Sequence, residues 1–266
     1  MKIWMLLTVC VQIVAFSLCV NAGEPNAGGY DLYLLIGQSN MAGRGKVDDE
    51  SKKIHPRVFA FNKEGQWVPA VDPLHFDKPG AGVGPGLAFG RAMAEANPQA
   101  KIGLIPCAVG GTSISVWIPG AHDAATKTQP YDDMLRRMKI AQKDGTLKGI
   151  IWHQGEADRG PGKSEKYAAN LTELVARLRK DLDAPNVPFV AGELGLLNEK
   201  NKDITEQFNA ILHGLSATIP NYGIAAASGL KDKGDNLHFD AASAREMGKR
   251  FAETMAELIK NNTKPK

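Results

Sequence analysis

The chain contains little cysteine, with only three among 266 residues. Cys10 and Cys19 lie in an apolar stretch at the amino terminus that we expect to be removed, which leaves Cys107 alone. An intramolecular disulfide is therefore excluded for the mature chain, and the fold must rely on its apolar core. Cys107 lies in an apolar, strand-like run, which indicates a packed side chain rather than a reactive thiol.

Strong charge of one sign is also absent. The formal net charge is +3, and the sequence has neither a dense run of Lys and Arg nor a basic amphipathic stripe. Such features are typical of proteins that bind nucleic acid or membrane surfaces. We therefore expect no nucleic-acid partner.

Fingerprints of common cofactors are missing as well. The six histidines show no paired spacing of the His-Glu-x-x-His kind, which argues against a zinc enzyme. Residues 162–164 resemble the end of a phosphate-binding loop, but position 157 is Ala where that motif requires Gly. Residues 82–86 lack the third glycine spacing of a dinucleotide-binding motif. We expect neither a metal nor an organic cofactor.

The longest apolar run lies at the amino terminus. Lys2 precedes apolar residues 3–20, which Gln12 interrupts, and small residues lead to Ala22. This pattern predicts a secretory signal peptide, residues 1–22. The alternative is an uncleaved membrane anchor, but the single Lys, the internal Gln and the lack of a basic flank argue against it. We expect an exported protein, periplasmic or secreted, without stable membrane association after cleavage.

From residue 30 onward, short apolar runs alternate with amphipathic helical patterns. The predicted strands are 30–36, 58–61, 102–109, 149–153, 189–194 and 223–227. The predicted helices are 85–96, 131–143, 164–182, 204–219 and 244–259. This alternation is typical of a parallel sheet covered by helices on both faces. We therefore predict a single three-layer α/β/α domain over residues 23–266, with long loops at 62–84 and 110–130 that shape a site.

The stretch around Ser39 is the first candidate for chemistry. Residues 31–36 form a buried-strand pattern, Gly37 permits a tight turn, and Ser39 follows at the carboxyl end of the strand. Ligands bind at that end in open α/β sheets, so Ser39 is a candidate nucleophile. The alternative is that Ser39 and Asn40 only cap the next helix.

Other polar groups follow other strands. Asp235 precedes His238 by three residues, so its carboxylate can accept a hydrogen bond from one ring nitrogen and leave the other as a base. Alternatively, both residues only cap the last helix. Residues 109–113 and 150–158 also place glycines or polar side chains at strand ends. This convergence is what an acyl-transfer site requires.

Four ordered blocks of the chain resemble the sialate O-acetylesterase and acetylxylan esterase group, the carbohydrate esterase branch of the SGNH hydrolase superfamily. The blocks are Gly-Gln-Ser-Asn-Met at 37–41, Gly-Gly-Thr-Ser at 110–113, Trp-His-Gln-Gly-Glu at 152–156 and Asp-x-x-His at 235–238. The resemblance covers about residues 30 to 255 and implies a flavodoxin-like sandwich. It also implies that Ser39 is the nucleophile, His238 the general base and then acid, and Asp235 its orienter.

The same resemblance implies an oxyanion hole. Its donors would be the backbone N–H of Ser39, a backbone N–H at Gly110 or Gly111, and the side-chain amide of Gln154. The wider superfamily has Asn in a Gly-x-Asn-Asp block instead, whereas Gln is usual in this esterase branch.

Five further residues are expected to support the site or contact substrate. Glu156 either positions Gln154 or replaces Asp235 as the orienter of His238. Arg44 either contacts substrate or is solvated, and Trp117 either stacks on a sugar ring or packs in the core. Gln38 and Asn40 flank the nucleophile.

These features favour a serine esterase that removes acetyl groups from carbohydrate, of the acetylxylan or sialic acid type, through an acetyl-serine intermediate. Its partner would be an acetylated oligo- or polysaccharide. One alternative is a carbohydrate-binding domain that lacks turnover. The other is an esterase or acyltransferase that acts on lipid or thioester acyl groups.

Overall fold

Seven β-strands and six α-helices alternate along residues 29–262, which are the residues that this computed structural model describes. The strands are β1 Tyr30–Gly37, β2 Val58–Phe61, β3 Trp67–Pro69, β4 Ile102–Pro106, β5 Gly145–His153, β6 Phe189–Gly192 and β7 Tyr222–Ala225. The helices are α1 Ser39–Ala42, α2 Pro85–Ala96, α3 Pro130–Ala141, α4 Ser164–Asp181, α5 Lys202–Gly214 and α6 Ala241–Asn262. The predicted signal peptide, residues 1–22, lies outside the described residues.

The strands form one sheet in the order β3-β2-β4-β1-β5-β6-β7. Every neighbouring pair is parallel except β2 and β3. The chain adds β2 and β4 on one side of β1 and then crosses to β5 on the other side. Such a reversal opens a crevice at the carboxyl ends of the strands on either side of it.

The sheet is covered on both faces because successive side chains of a strand point in opposite directions. Leu32, Leu34 and Ile36 of β1 pack into a core that also contains buried residues of α3, α4 and α5. Tyr33 and Leu35 point to the other side, where α1, α2 and α6 contribute buried residues. The predicted three-layer α/β/α fold is therefore confirmed.

The helices begin and pack as their sequences predict. Pro85 and Pro130 occupy the first positions of α2 and α3, where the missing N–H has no intrahelical partner. One face of α4 is buried, and its apolar residues are Tyr167, Leu171, Leu174, Val175 and Leu178. Among the helices formed by residues 29–262, none combines the length and apolar composition needed to cross a lipid bilayer.

Two features of the sheet differ from the prediction. The segment predicted as the long loop 62–84 contains β3, which pairs antiparallel with β2 at the sheet edge. Only three residues form this strand, and Trp67 stabilises it by stacking on Tyr30 with ring centroids 4.3 Å apart. In addition, β5 begins at Gly145 rather than Gly149. The sequence pattern missed this start because Thr146 and Lys148 are polar and exposed, so residues 145–148 do not form a continuous apolar run.

Candidate active site

A pocket of about 350 Å³ lies at the carboxyl ends of β1, β4 and β5, near the centre of the sheet. Its lining residues are Gln38, Ser39, Arg44, Lys78, Gly110, Gly111, Glu156, Ala157, Leu237 and His238. These residues come from five separate segments of the chain. The pocket therefore gathers most of the predicted site residues at the edge of the sheet where they were expected.

The turn after β1 presents Ser39 to this pocket. Gly37 has a φ of 130°, and an added Cβ would overlap the carbonyl group of His153 on the neighbouring strand. The backbone N–H of Gln38 donates to the His153 carbonyl at 2.9 Å, so pairing with β5 continues to the edge of the turn. Ser39 then begins the short helix α1. Only glycine fits both the dihedral angle and the space at position 37.

Ser39, His238 and Asp235 form a hydrogen-bonded chain. The Ser39 Oγ lies 3.1 Å from His238 Nε2, and His238 Nδ1 lies 2.7 Å from Asp235 Oδ2. Because a carboxylate only accepts, the Nδ1–H donates to Asp235 and Nε2 is left to accept the Ser39 hydroxyl proton. The backbone N–H of His238 also donates to Asp235, at 2.8 Å. This arrangement allows a serine to be deprotonated at neutral pH.

Asp235 is held in its ionised form. Partial burial raises the pKa of this carboxyl, but hydrogen bonds from the backbone and ring of His238 and from Lys233 outweigh that effect. The net result is a pKa well below the usual range of an aspartate. Lys233 Nζ lies 3.1 Å from the carboxylate that also accepts from His238.

Asn40 joins helix α1 both to Glu156 and to the segment that carries His238. Asn40 Nδ2 donates to Glu156 Oε1 at 2.6 Å and to the carbonyl of Leu237 at 3.0 Å. Asn40 Oδ1 accepts from the backbone N–H of Phe239 at 3.0 Å. Glu156 makes no hydrogen bond to His238 or Gln154 within the described chain, so both contacts predicted for it are wrong. Its carboxylate supports Asn40 instead.

The two glycines after β4 differ in what their N–H groups do. The N–H of Gly110 donates to Asp77 Oδ2 at 2.9 Å, so it is not free for a ligand, contrary to one of the two alternatives. Gly111 has a φ of 87°, and within residues 29–262 its N–H has no acceptor. The N–H of Ser39, at the start of α1, likewise has no acceptor in the described structure. Two free backbone donors therefore belong to residues that line the same pocket as the Ser39 hydroxyl.

Gln154 does not occupy the predicted position of an oxyanion donor. Its side chain is fully buried and is absent from the pocket lining. Its amide nitrogen lies 2.5 Å from Asp158 Oδ2 and 3.1 Å from both Gln38 Oε1 and the carbonyl of Thr112. An amide nitrogen carries two hydrogens, and both are engaged by these acceptors. The prediction for Gln154 is therefore wrong.

Asp158 is a structural residue of the site that the sequence did not identify in this role. Its Oδ1 accepts from the Ser113 hydroxyl at 2.5 Å, and its Oδ2 accepts from the Ile114 N–H at 2.8 Å. With Gln154 it ties the loop after β4 to the loop after β5. Its position two residues beyond Glu156, at the end of the third block, was visible in the sequence, but its partners were not.

Arg44 and Asp77 form an ion pair at the wall of the pocket, with Arg44 Nη2 2.7 Å from Asp77 Oδ2. Both side chains are largely buried, so the predicted solvated surface position of Arg44 is wrong. Asp77 was not singled out from the sequence, because a carboxylate in a long loop carries no pattern. The exposed Lys78, also missed, extends the cationic side of the pocket beside Gly111.

Trp117 does not reach the pocket. It is 0% exposed, packs edge-on against Trp152 and donates from its indole nitrogen to Thr112 Oγ1. Stacking on a sugar ring is therefore excluded, and the alternative of core packing holds. Cys107 is also buried, which raises the pKa of its thiol to about 11.

His153 is packed rather than reactive. Its Nε2 donates to the Glu193 carbonyl at 3.0 Å, its ring lies edge-on to Phe239, and burial lowers its pKa. In the part of the chain described here, no cluster of three His, Cys, Asp or Glu side chains has the arrangement of a metal site.

Comparison with known proteins identifies a family. Residues 29–257 match the model of the carbohydrate esterases described as sialic acid-specific acetylesterases. A probable carbohydrate esterase of Arabidopsis thaliana, At4g34215, is 31% identical over 243 residues, which cover 84% of this chain and 88% of the plant protein.

Solved structures show the same architecture. The crystal structure of the Arabidopsis protein superposes with a TM-score of 0.75 at 28% identity, over 86% of this chain and 98% of that chain. NanS superposes with a TM-score of 0.69 at 18% identity, over 88% of this chain and 98% of the NanS chain. A carbohydrate acetylesterase from Xanthomonas citri superposes with a TM-score of 0.62 at 19% identity, over 88% of this chain and 57% of that chain. The last two similarities concern the fold.

Proposed function

This chain belongs to the family of carbohydrate esterases described as sialic acid-specific acetylesterases, and we propose that it hydrolyses O-acetyl esters of carbohydrates with Ser39 as nucleophile. The observation that carries the proposal is the hydrogen-bonded chain from Ser39 through His238 to Asp235, with distances of 3.1 and 2.7 Å. It opens into a small pocket whose lining residues include two with free backbone donors.

In the first half of the reaction, His238 Nε2 takes the Ser39 hydroxyl proton while Oγ attacks the acetyl carbonyl carbon. The carbonyl π electrons move to oxygen, and the resulting oxyanion accepts hydrogen bonds from the N–H groups of Ser39 and Gly111. Asp235 stabilises the imidazolium that forms and keeps the ring oriented. The bond to the sugar oxygen then breaks, and His238 gives its proton to that oxygen.

In the second half, water attacks the acetyl-serine. His238 removes a proton from the water, the tetrahedral species forms in the same donor set, and Ser39 leaves as the protonated hydroxyl. Acetate and the free sugar hydroxyl are the products.

A small acyl group and a polar alcohol fit this pocket best. Its volume is about 350 Å³, and its lining includes cationic, acidic and amide side chains together with two glycines. A long acyl chain would need a continuous apolar wall, whereas Leu237 and Ala157 are the apolar side chains of the lining. Acetylated xylan and O-acetyl sialic acid are the two substrate types that we propose to compare.

The test is acetate release from both glycans by the mature protein, beside Ser39→Ala and the matched control Ser228→Ala at an exposed serine. We expect Ser39→Ala to lose activity and Ser228→Ala to keep it. Binding of glycan without hydrolysis would favour a carbohydrate-binding domain. Faster hydrolysis of long-chain than of acetyl p-nitrophenyl esters would favour a lipid or thioester substrate.

We also propose that the protein is exported, because residues 1–22 have the composition of a signal peptide. Expression of the full chain followed by mass measurement of the exported product should give an amino terminus at Gly23. An intact amino terminus in the cytoplasm would contradict this proposal.

A further inference from the structure

The pocket provides two free backbone N–H donors, and a third donor is missing from its expected place. A tetrahedral oxyanion has three lone pairs, so a site with only two donors leaves one unpaired within the protein. Gln154 cannot supply the third donor, because its amide nitrogen is already within 3.1 Å of three protein acceptors.

We propose that the side-chain amide of Gln38 is this third donor and that Gln154 is the residue that positions it; this inference rests on the proposed esterase function. Gln38 lines the pocket directly before Ser39, and its side chain is only 3% exposed. Its Oε1 accepts from Gln154 Nε2 at 3.1 Å.

The orientation of the Gln38 amide follows from its neighbours. The acceptors Asp158 Oδ2 and Thr112 carbonyl fix the nitrogen of Gln154 on their side, because neither can donate. That nitrogen also faces Gln38, so Gln38 must present its oxygen there. The Gln38 nitrogen then lies on the opposite side of the planar amide, and it has no hydrogen-bond acceptor within residues 29–262.

Hydrogen bonds on every side hold the Gln154 side chain, which supports Gln38, in one orientation. The Tyr167 hydroxyl donates to Gln154 Oε1 at 2.8 Å and accepts from the Trp152 indole nitrogen at 3.0 Å. Every polar atom of the Gln154 amide is therefore engaged, and the ring of Tyr167 is fully buried. A donor held in advance in this way needs little reorganisation when the oxyanion forms.

The unpaired N–H of Gln38, a residue of the pocket lining, forms only a modest hydrogen bond with a neutral substrate carbonyl. That hydrogen bond becomes stronger when negative charge develops on the carbonyl oxygen, so its contribution belongs to the transition state rather than to substrate binding. Loss of this donor should therefore lower kcat and leave KM nearly unchanged.

The test compares Gln38→Met, Gln38→Glu and the control Gln207→Glu, at an exposed position of α5. Gln38→Met should lower kcat by about 100- to 1000-fold, the usual effect of removing one oxyanion donor. Gln38→Glu keeps the acceptor for Gln154 but replaces the donor by an oxygen. Its activity relative to wild type should rise as the pH falls, because a protonated carboxyl can donate, whereas the relative activity of Gln38→Met should not change with pH.

A second measurement does not depend on turnover of a sugar ester. Diethyl p-nitrophenyl phosphate phosphorylates an activated serine and places its phosphoryl oxygen among the oxyanion donors. The rate of Ser39 phosphorylation, followed by intact mass, should fall in Gln38→Met in parallel with kcat. Folding of each variant is checked by urea unfolding.

The outcomes separate the two proposals. A folded Gln38→Met that keeps kcat and the phosphorylation rate within tenfold of wild type overturns the role of Gln38 alone. A wild-type protein that neither hydrolyses acetyl esters nor reacts at Ser39 overturns the proposed function and this inference together.

Discussion

Asn40 Oδ1 accepts a hydrogen bond of 3.0 Å from the backbone N–H of Phe239. The contact joins the residue that follows Ser39 to the residue that follows His238, although these two residues are 199 positions apart in the chain. The Asn40 amide nitrogen donates to the carbonyl of Leu237, so one side chain holds the backbone on both sides of the histidine. This bidentate contact fixes the distance between Ser39 and His238.

Asn40→Ala should therefore lower kcat more than a variant at another site that loses the same unfolding free energy. It removes three hydrogen bonds, which we expect to cost about 1–3 kcal/mol of unfolding free energy. Asn209→Ala is the matched control, since Asn209 makes the same two-sided contact with the backbone of Leu194. Urea unfolding and kcat are measured for both. If Asn40→Ala and Asn209→Ala lose the same unfolding free energy and have the same kcat, Asn40 does not position His238 relative to Ser39.

Asp235→Asn and Glu156→Gln should differ sharply. Asp235→Asn removes the ionised partner of His238, and we expect kcat to fall by roughly 100- to 10,000-fold. Gln at position 156 still accepts from Asn40 through its oxygen, so kcat should stay within about tenfold of wild type. Steady-state kinetics on p-nitrophenyl acetate distinguish the two. The reverse order of effects would make Glu156 the orienter.

Gly37→Ala should destabilise the whole fold. A Cβ at this position overlaps the His153 carbonyl group on β5, and the φ of 130° is unfavourable for alanine. We expect a loss of at least about 3 kcal/mol in unfolding free energy, or no folded protein. Gly80→Ala is the control, since a Cβ there meets nothing within 4 Å. Similar melting temperatures for the two variants would argue against a constrained turn.

Asp72→Asn should stabilise the protein at alkaline pH. Burial raises the pKa of Asp72 to about 7, with Arg245 opposing, and its carboxyl oxygens have no hydrogen-bond partner within residues 29–262. An unfolded aspartate has a pKa of about 3.9, so the native state holds a proton that the unfolded chain releases. Wild-type stability from this group is therefore present below about pH 4 and is lost as the pH rises through 7.

The variant should accordingly be more stable than wild type at pH 8, by up to roughly 4 kcal/mol, with little difference at pH 4. Urea unfolding at both pH values measures the difference. Asp203→Asn, at an exposed position of α5, is the control for the loss of one charge. A difference that does not change with pH would exclude titration of Asp72.

The sequence predicted the layered fold because its central strands are buried on both faces and therefore appear as uninterrupted apolar runs, as in residues 32–36 and 102–106. It did not predict β3, whose three residues are too few to show a period. It also missed the start of β5, where polar residues lie in a strand that pairs with β1. Sheet edges and strand ends depend on neighbours that the local sequence does not specify.

At the site, sequence order located the segments that meet but not the hydrogen bonds between them. Gln154 has the residue type of a donor, yet Asp158 four positions later engages its amide. Gly110 and Gly111 are equivalent in sequence, and only the contact with Asp77 distinguishes them. Which donor remains free depends on side chains distant in the chain, and those contacts become visible only in three dimensions.

We propose that Ser39 carries the acetyl group during turnover. Rapid acid quenching of the mature protein with an acetylated substrate, followed by peptide mass spectrometry, would detect this intermediate. We predict an acetyl group on Ser39 in the wild type that is absent from Ser39→Ala, which also releases no acetate. Continued acetate release without acetylated Ser39, or from Ser39→Ala, would show that Ser39 is not the nucleophile.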